Sequence, residues 1–589
     1  MKDHTFSEGC ILNCRICKWF AGAQTTAQPR SVSSPTEILS DNLKWTLSIS
    51  LKQRIKFILL FGLLISCNCI SIQAQLKSEK TFGQIALEES VTPVRPGIPG
   101  EKPFWNGSSH QFIYAPAFDY KIIDNAVTYR FEIISLVDSG RHSFENMVPY
   151  ASMSLVWASV PVGSFNLKVT GISAEGKSLG LAGQGKYYRA AYFNGIYHKP
   201  VMPYDKSAKL ALDNLLNKDY VKYWFTNKKP DPKYNYYRYP AKIMGALIVG
   251  AVTQARLKAN TPDAKRYTEL AAIVADYLIS ISFKQGTPLE YFPPTYKGYE
   301  AVFKKSNPNV KTDDDLIISA AEAGNAYLDL YDLTSNKKYL EAAKRIADTY
   351  VKTQMDNGSW YLFVNINTGK QTAPNIAIPT STINYFDRLS RDYKVPGLKN
   401  ATAKALNWIM ENPVKTYDWQ GQFEDVYARP PYKNLSREQV CDMAIYLMNN
   451  SKGNPQNLKL AEELIRFAED QFVIWEKPVP VKKDKENGWL PENWITPTVQ
   501  EQYIFWMPVG RAACIMMETY RLAYGVTKKE MYLAKAKSIA NTFTVVQKEH
   551  NGDYPTMFTK YKMNFWLNSV VYPAKMMMTL ENNLKELKK

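Results

Sequence analysis

The sequence predicts a mainly α protein, an (α/α)6 toroid of helical hairpins preceded by a small β-sandwich. Three observations predict it. One helix is written twice, as YLEAAKRIADTYVKTQ from Tyr339 to Gln354 and YLAKAKSIANTFTVVQ from Tyr532 to Gln547. At one constant offset Tyr339 matches Tyr532, Leu340 matches Leu533, Ala343 matches Ala536, Ile346 matches Ile539, Ala347 matches Ala540 and Gln354 matches Gln547. A helix recurring at long spacing marks a helical array. From about Ile196 onward, segments apolar on most faces alternate with amphipathic ones, the pattern of an inner and an outer ring. Before that point the apolar period is two and the breaks are rich in Gly, Pro, Asp and Ser, which is β-structure with turns.

Taken in order, residues 1–50 precede an export signal and read as an upstream extension. Residues 51–74 carry Lys52, Arg54 and Lys56 and then the apolar run Phe57–Ser66, too short to span a bilayer. The reading is a signal peptide cleaved after Ala74, with lipid attachment at Cys67 as the minority alternative, so the mature protein is expected to be periplasmic or secreted. Cys10, Cys14 and Cys17 have a spacing that resembles the iron–sulfur motif of radical SAM enzymes. Their position ahead of an export signal argues against a cluster.

Residues 75–103 read as a linker, ending in TPVRPGIPGEKP. Residues 104–195 read as the β-sandwich, with strands at YRFEII (Tyr129), SLVWASVPVG (Ser154) and FNLKVTGI (Phe165). Residues 196–589 read as the toroid. Its inner helices are expected at Tyr239–Ala259, Asp315–Leu333, Ile378–Tyr393, Ser436–Asn450, Glu501–Tyr524 and Phe565–Leu587. Its outer helices are expected at Asp263–Phe283, Lys337–Gln354, Leu398–Asn412, Asn457–Trp475 and Lys528–Gln547, and a short helix at Ser207–Leu216 pairs with the last inner one. The run Asp313-Asp314-Asp315 is expected to start an inner helix, where Asp is an ordinary first-turn residue.

Removing the first 74 residues leaves 65 Lys and Arg against 51 Asp and Glu, a net charge of +14. An exported basic protein favours anionic partners. No Lys/Arg block or nucleic-acid motif is present, so the expected partner is an anionic oligo- or polysaccharide and not nucleic acid. No segment after the signal is a transmembrane candidate, and the sequence does not address the oligomer. Past Ala74 only Cys441 and Cys514 remain, both in apolar helical patterns, and they read as buried free thiols. No cofactor is predicted. Divalent-metal involvement stays open.

A small β-domain followed by such a toroid, behind an export signal, resembles the polysaccharide lyases, uronyl hydrolases and uronyl epimerases of glycan degradation. The phrase LYDLTSNKKYLEAAKRIAD from Leu330 to Asp348 is similar to the outer-helix pattern of that superfamily. The resemblance implies a glycan-active enzyme and does not single out one reaction. The scarcity of histidine, with only His198 and His550 in the toroid, speaks against a sugar 2-epimerase.

Long links between outer and next inner helices fall on one rim, which is where such a ring carries its chemistry. That rim holds the candidates. Tyr237, Tyr296, Glu424, Asp425, Tyr427 and His550 are the candidate proton-transfer residues. Arg238, Lys297, Trp360, Asn375, Trp419, Arg429, Glu501, Tyr503, Trp506, Arg511 and Asn564 are the candidate substrate contacts. No metal ligands are assigned. A sugar needs a stacking face and polar contacts, and a uronate needs a cation. The first function expected is a carbon–oxygen lyase: β-elimination on a uronic-acid glycan, such as a sulfated ulvan-type polymer. It would use a cation to neutralise the uronate and a Tyr or His to move protons. The alternatives are a glycoside hydrolase using a carboxylate pair, Glu424 or Asp425 with Asp314 or Glu501, and a non-catalytic glycan-binding protein.

Overall fold

The computed structural model describes residues 80–96, 109, 111–297, 313–423, 435–478, 490–502, 507–561 and 566–588. The proposed signal peptide and the upstream cysteines lie outside the described residues.

The chain enters through α1 (Phe82–Ser90), inside the stretch read as linker. Thr81 and Gln84 form a reciprocal capping box at its start. The β-domain follows with β1 (Gln111–Phe112), β2 (Ala117–Asp119), β3 (Thr128–Ser135), β4 (Arg141–Asn146), β5 (Tyr150–Ser152), β6 (Gly163–Ile172) and β7 (Ser178–Arg189). One sheet has the order β1-β7-β6-β3-β4, and β2 pairs with β5 in a second. Alternation sets the faces: Tyr129, Phe131 and Ile133 of β3 and Phe165, Leu167 and Val169 of β6 are buried. The small sheet lies on the large one through Phe118 and Tyr187, with ring centroids 4.5 Å apart. The segment at Ser154 corrects the expectation of a strand. Ser154–Trp157 is a helical turn that buries Trp157, whose indole N–H donates to the Ile113 carbonyl at 2.9 Å.

The toroid follows. After α2 (Tyr204–Leu216) and α3 (Asp219–Asn227) come α4 (Gly245–Leu257), α5 (Pro262–Ser280), α6 (Ser319–Thr334) and α7 (Lys337–Thr353). Then follow α8 (Thr380–Tyr393), α9 (Leu398–Glu411), α10 (Arg437–Asn449), α11 (Pro455–Phe472), α12 (Gly510–Thr527), α13 (Glu530–Glu549) and α14 (Asn568–Glu586). The hairpins are α4/α5, α6/α7, α8/α9, α10/α11, α12/α13 and α14/α2. The inner helices touch in the order α4, α6, α8, α10, α12, α14, and α14 returns to α4. Six hairpins therefore close a ring. The division is clearest between α4, buried at every residue from Gly245 to Ala255, and α7, which buries only one stripe.

The aspartate run does not begin an inner helix. Asp314–Leu316 is a short strand, β8, paired antiparallel with β9 (Phe363–Asn365), and α6 starts at Ser319. Asp315 is fully buried and accepts a hydrogen bond from the Thr295 backbone N–H at 2.6 Å. Burial pushes its carboxyl up to about 6. A chain segment that ties the rim loop to the ring has taken these residues out of the helix.

The doubled helix has a doubled task. In α7, Tyr339 donates to Asp276 of the preceding outer helix α5 at 3.2 Å, and Gln354 at its C-cap donates to the carbonyls of Gly358 and of Ala401 in α9, both at 2.9 Å. In α13, Tyr532 donates to Glu462 of α11 at 3.1 Å, and Gln547 donates to the carbonyls of Gly552 and of Ser207 in α2, both at 2.9 Å. Each copy fastens its outer helix to the one before and the one after. Gly358 has φ of 94°, and a Cβ there would meet the Lys404 carbonyl oxygen at 2.3 Å, so the Asn-Gly turn requires glycine.

Candidate functional site

All six inner helices send their first turns to one rim, and their side chains line a cleft running down the ring axis. Lys242 reaches it from the π-helical turn before α4, Ser319 and Glu322 from α6, and Ser381 from α8. Arg437, Glu438 and Asp442 come from α10, Arg511 from α12 and Asn568 from α14. Deeper, the same Glu322, Glu438, Asp442 and Arg511 share the wall with Asn325, Glu518, Tyr572 and Lys575. This lower part holds about 300 Å³, at the small end of ligand sites, which run from about 300 to 1,000 Å³. An ion cluster borders it: Asp329 accepts from Arg388 at 2.8 Å and from Lys575 at 2.6 Å, joining α6, α8 and α14. Burial alone would raise the Asp329 carboxyl, and Lys575 and Arg388 hold it below its ordinary value.

Ser436 caps α10 by accepting from the Glu438 N–H at 3.2 Å. That cap sets Glu438 on the cleft face, and Asp442, four residues on, shares it. Glu438 meets Arg511 of the neighbouring helix at 3.5 Å. The Arg511 guanidinium in turn lies over the Tyr572 ring at 4.0 Å. Burial would discharge Arg511, but Glu438 foremost, with Tyr572 and Glu322, keeps its pKa above the ordinary value. Asp442 goes the opposite way. It is only half-buried, because it faces the cleft, yet it sits low between helices. That burial, with Glu438, Glu518 and Glu322 nearby, pushes its carboxyl well above the usual range, and Arg511 only partly opposes this. The cleft thus holds one carboxyl driven towards its neutral acid form in a ring of further acids. Glu322 approaches from α6, two helices round the ring from α10.

Of the sequence-predicted residues, Glu501 and Arg511 line this cleft. The others described lie elsewhere. Tyr237 is buried in an aromatic wall, edge-on to Trp224 at 5.6 Å and donating to the Tyr220 carbonyl at 3.3 Å, and burial raises its phenol far from a base. Tyr296 is buried edge-on against Tyr239 at 5.8 Å. His550 has both ring nitrogens against backbone carbonyls, Nδ1 on Val546 at 2.7 Å and Nε2 on Tyr561 at 3.0 Å.

Trp360 is buried and donates to the Tyr350 carbonyl at 2.9 Å. Asn375 donates to the Gly421 carbonyl at 2.6 Å, and Trp419 is fully buried, so both brace the rim loop. Arg238 is half-buried, and its carbonyl accepts from the Lys297 N–H at 2.9 Å. The Lys297 side chain is exposed, with its ammonium pKa lowered by partial desolvation. Glu424, Asp425, Tyr427, Arg429, Tyr503, Trp506 and Asn564 lie outside the described residues.

Glu322, Arg437, Glu438 and Asp442 were not anticipated. Their signal was present: charged residues inside SAAEAGNAYL and REQVCDMAIYLM, helices otherwise too apolar for an outer face. Among the described residues no three His, Cys, Asp or Glu side chains gather as a cation site, and no helix is long and apolar enough to cross a membrane. Cys441 and Cys514 are buried free thiols.

A scan against protein-family profiles and a search of curated sequences found no match. Solved structures do align. A family 76 glycoside hydrolase from a bovine Bacteroides thetaiotaomicron strain aligns at 12% identity over 80% of this chain and 97% of its own, with a TM-score of 0.45. An unsaturated glucuronyl hydrolase specific for heparin aligns at 11% identity over 65% and 97%, with a TM-score of 0.41. The cellobiose 2-epimerase of Spirochaeta thermophila aligns at 11% over 64% and 98%, with a TM-score of 0.40. These similar structures are glycan-processing enzymes, and the chain itself is a mainly α protein whose six helical hairpins close into an (α/α)6 ring behind a β-domain.

Proposed function

We propose that this protein is a glycoside hydrolase that cleaves an acidic glycan in the axial cleft. Asp442 delivers the proton to the departing glycosidic oxygen, and Glu322 faces it as the carboxylate that activates water or attacks the sugar. Glycoside hydrolysis is most often carried out by two carboxyl groups that reach the bond from different sides with different proton affinities. One observation carries the reading: an acid on α10 and an acid on α6 open on the same cleft, and the first is pushed towards its neutral form. Glu438 is a positioning residue. It pairs with Arg511 and, as a like charge one turn away, helps to keep Asp442 protonated. Lys242, Arg437 and Arg511 make the opening attractive to an anionic sugar.

The elimination expected from the sequence relied on a phenol or imidazole that gives up its proton readily. Tyr572 lies beneath Arg511, but burial first, then Glu322, drives its phenol upward despite that cation. The deciding experiment incubates the protein with uronic-acid oligosaccharides and follows new reducing ends together with absorbance near 232 nm. Reducing ends without absorbance are expected. Absorbance rising in step with them would establish β-elimination and overturn the hydrolase reading.

A further inference from the structure

A buried cation needs compensation, because taking it out of water costs several kcal/mol. Lys535 is 3% exposed and meets Glu469 at 2.7 Å. Arg511 has Glu438 and the Tyr572 ring. Arg189 lies over the rings of Trp157 and Tyr192, at 5.1 and 5.7 Å. Among the described residues, Arg437 differs from the first two in having no carboxylate partner, and from Arg189, whose Nε is also unpartnered, in having no ring beneath it. It is 1% exposed, its Nη1 donates to the Glu501 backbone carbonyl, and its Nε has no hydrogen-bond partner. Among the described residues no carboxylate comes within salt-bridge distance of it and no aromatic ring lies beneath it. Burial lowers its pKa, and Glu438 and Glu501 only partly restore it. Yet it borders the cleft, at the first residue of a 13-residue helix whose amide dipoles add to the positive potential there.

We infer that Arg437 is the anchor for one anionic group of the substrate, a glycan carboxylate or sulfate, bound at the mouth of the cleft. This rests on the hydrolase reading only for the word substrate. The binding follows from a buried guanidinium whose counter-charge arrives with the ligand. A guanidinium forks onto two oxygens of such an anion, which an ammonium does not reproduce. Arg437 precedes Asp442 by five residues, about 7.5 Å along the helix at 1.5 Å per residue. The anion therefore belongs to the sugar at the reacting bond or to its immediate neighbour.

The test separates binding from turnover by using the Asp442→Asn protein as the host. Calorimetry compares three disaccharides of one linkage: glucosyl, glucuronosyl and 6-O-sulfoglucosyl. The host should bind one of the two anionic sugars at least about ten-fold more tightly than the neutral one. The preferred sugar tells carboxylate from sulfate. Adding Arg437→Met should abolish that preference and leave the neutral affinity in place, whatever stability is lost with the hydrogen bond to the Glu501 carbonyl. Arg437→Lys should recover only part of the preference. The inference falls if the host shows no anionic preference, if Arg437→Met retains the preference, or if it lowers stability and weakens acidic and neutral sugars alike. Should Asp442→Asn still turn substrate over while Arg437→Met removes the preference, the catalytic assignment fails and the anchor stands.

Discussion

Asp442 couples activity and stability in opposite directions. Its carboxyl is neutral in the folded cleft over a pH range in which an unfolded aspartate, near 3.9, is already ionised. The folded form therefore binds the proton more tightly, and stability falls as pH rises from the unfolded value towards the raised folded one. Asp442→Asn removes this loss. Its melting temperature should exceed that of the wild type at pH 8 and match it near pH 3, while kcat falls roughly 10²- to 10⁴-fold, the usual weight of a proton donor. A melting temperature lower than wild type at pH 8 would contradict the assignment. Glu438→Gln removes a like charge beside Asp442 and frees Arg511, and both changes lower the Asp442 pKa. The alkaline limb of the pH–rate profile should move to lower pH. A purely structural Glu438 would leave that limb where it was.

The helices explain why the ring was legible in the sequence and the cleft only at Glu501 and Arg511. An inner helix is expected to be apolar nearly all round and an outer one striped, and α4 and α7 wrote that difference into their residues, although α8 and α13 did not. Rim aromatics gave a false lead for the same physical reason. Trp360 and Trp419 sit in loops, where sugar-stacking residues are expected, but a long loop needs a core of its own, and they provide it. Cleft residues on an inner helix are quieter, since Glu438 and Asp442 at i,i+4 also suit an ordinary helix surface. Only ring closure turns that surface inward.

The doubled helix carries a prediction of its own. Gln547 is fully buried and Gln354 is not, although each donates the same pair of hydrogen bonds. Gln547→Ala should cost about 2–3 kcal/mol in urea unfolding and Gln354→Ala about 1 kcal/mol, because Gln547 also accepts from the Ser207 hydroxyl at 2.6 Å and water can reach only the second site. Equal costs would show that the two clamps are not distinguished by burial.

At the scale of the molecule, the β-domain is joined to the toroid by a titratable contact. Asp470 of α11 is buried and accepts from the backbone N–H groups of Ile113 at 2.6 Å and Tyr114 at 2.8 Å. Gln471 beside it accepts from the Ser109 hydroxyl at 2.7 Å, and its carbonyl accepts from the Gln111 amide at 2.9 Å. Burial pushes the Asp470 carboxyl up to about 7, against the pull of those donors. Here too the folded value lies above the unfolded one, so the stabilising contribution is complete below about pH 4 and is lost as pH rises through 7. Asn keeps an acceptor for the two amides and has no charge to bury. Asp470→Asn should therefore melt with a shallower decline than wild type between pH 5 and 8. Asp470→Ala leaves two buried amides without an acceptor and should cost about 2–6 kcal/mol at any pH. The loss should appear first as protease cleavage between the β-domain and α2, before the ring unfolds, because the contact broken joins the two and the six hairpins keep their own closure. If Asp470→Asn and wild type decline in parallel, the junction does not titrate, and the pH dependence of the fold resides elsewhere in the ring.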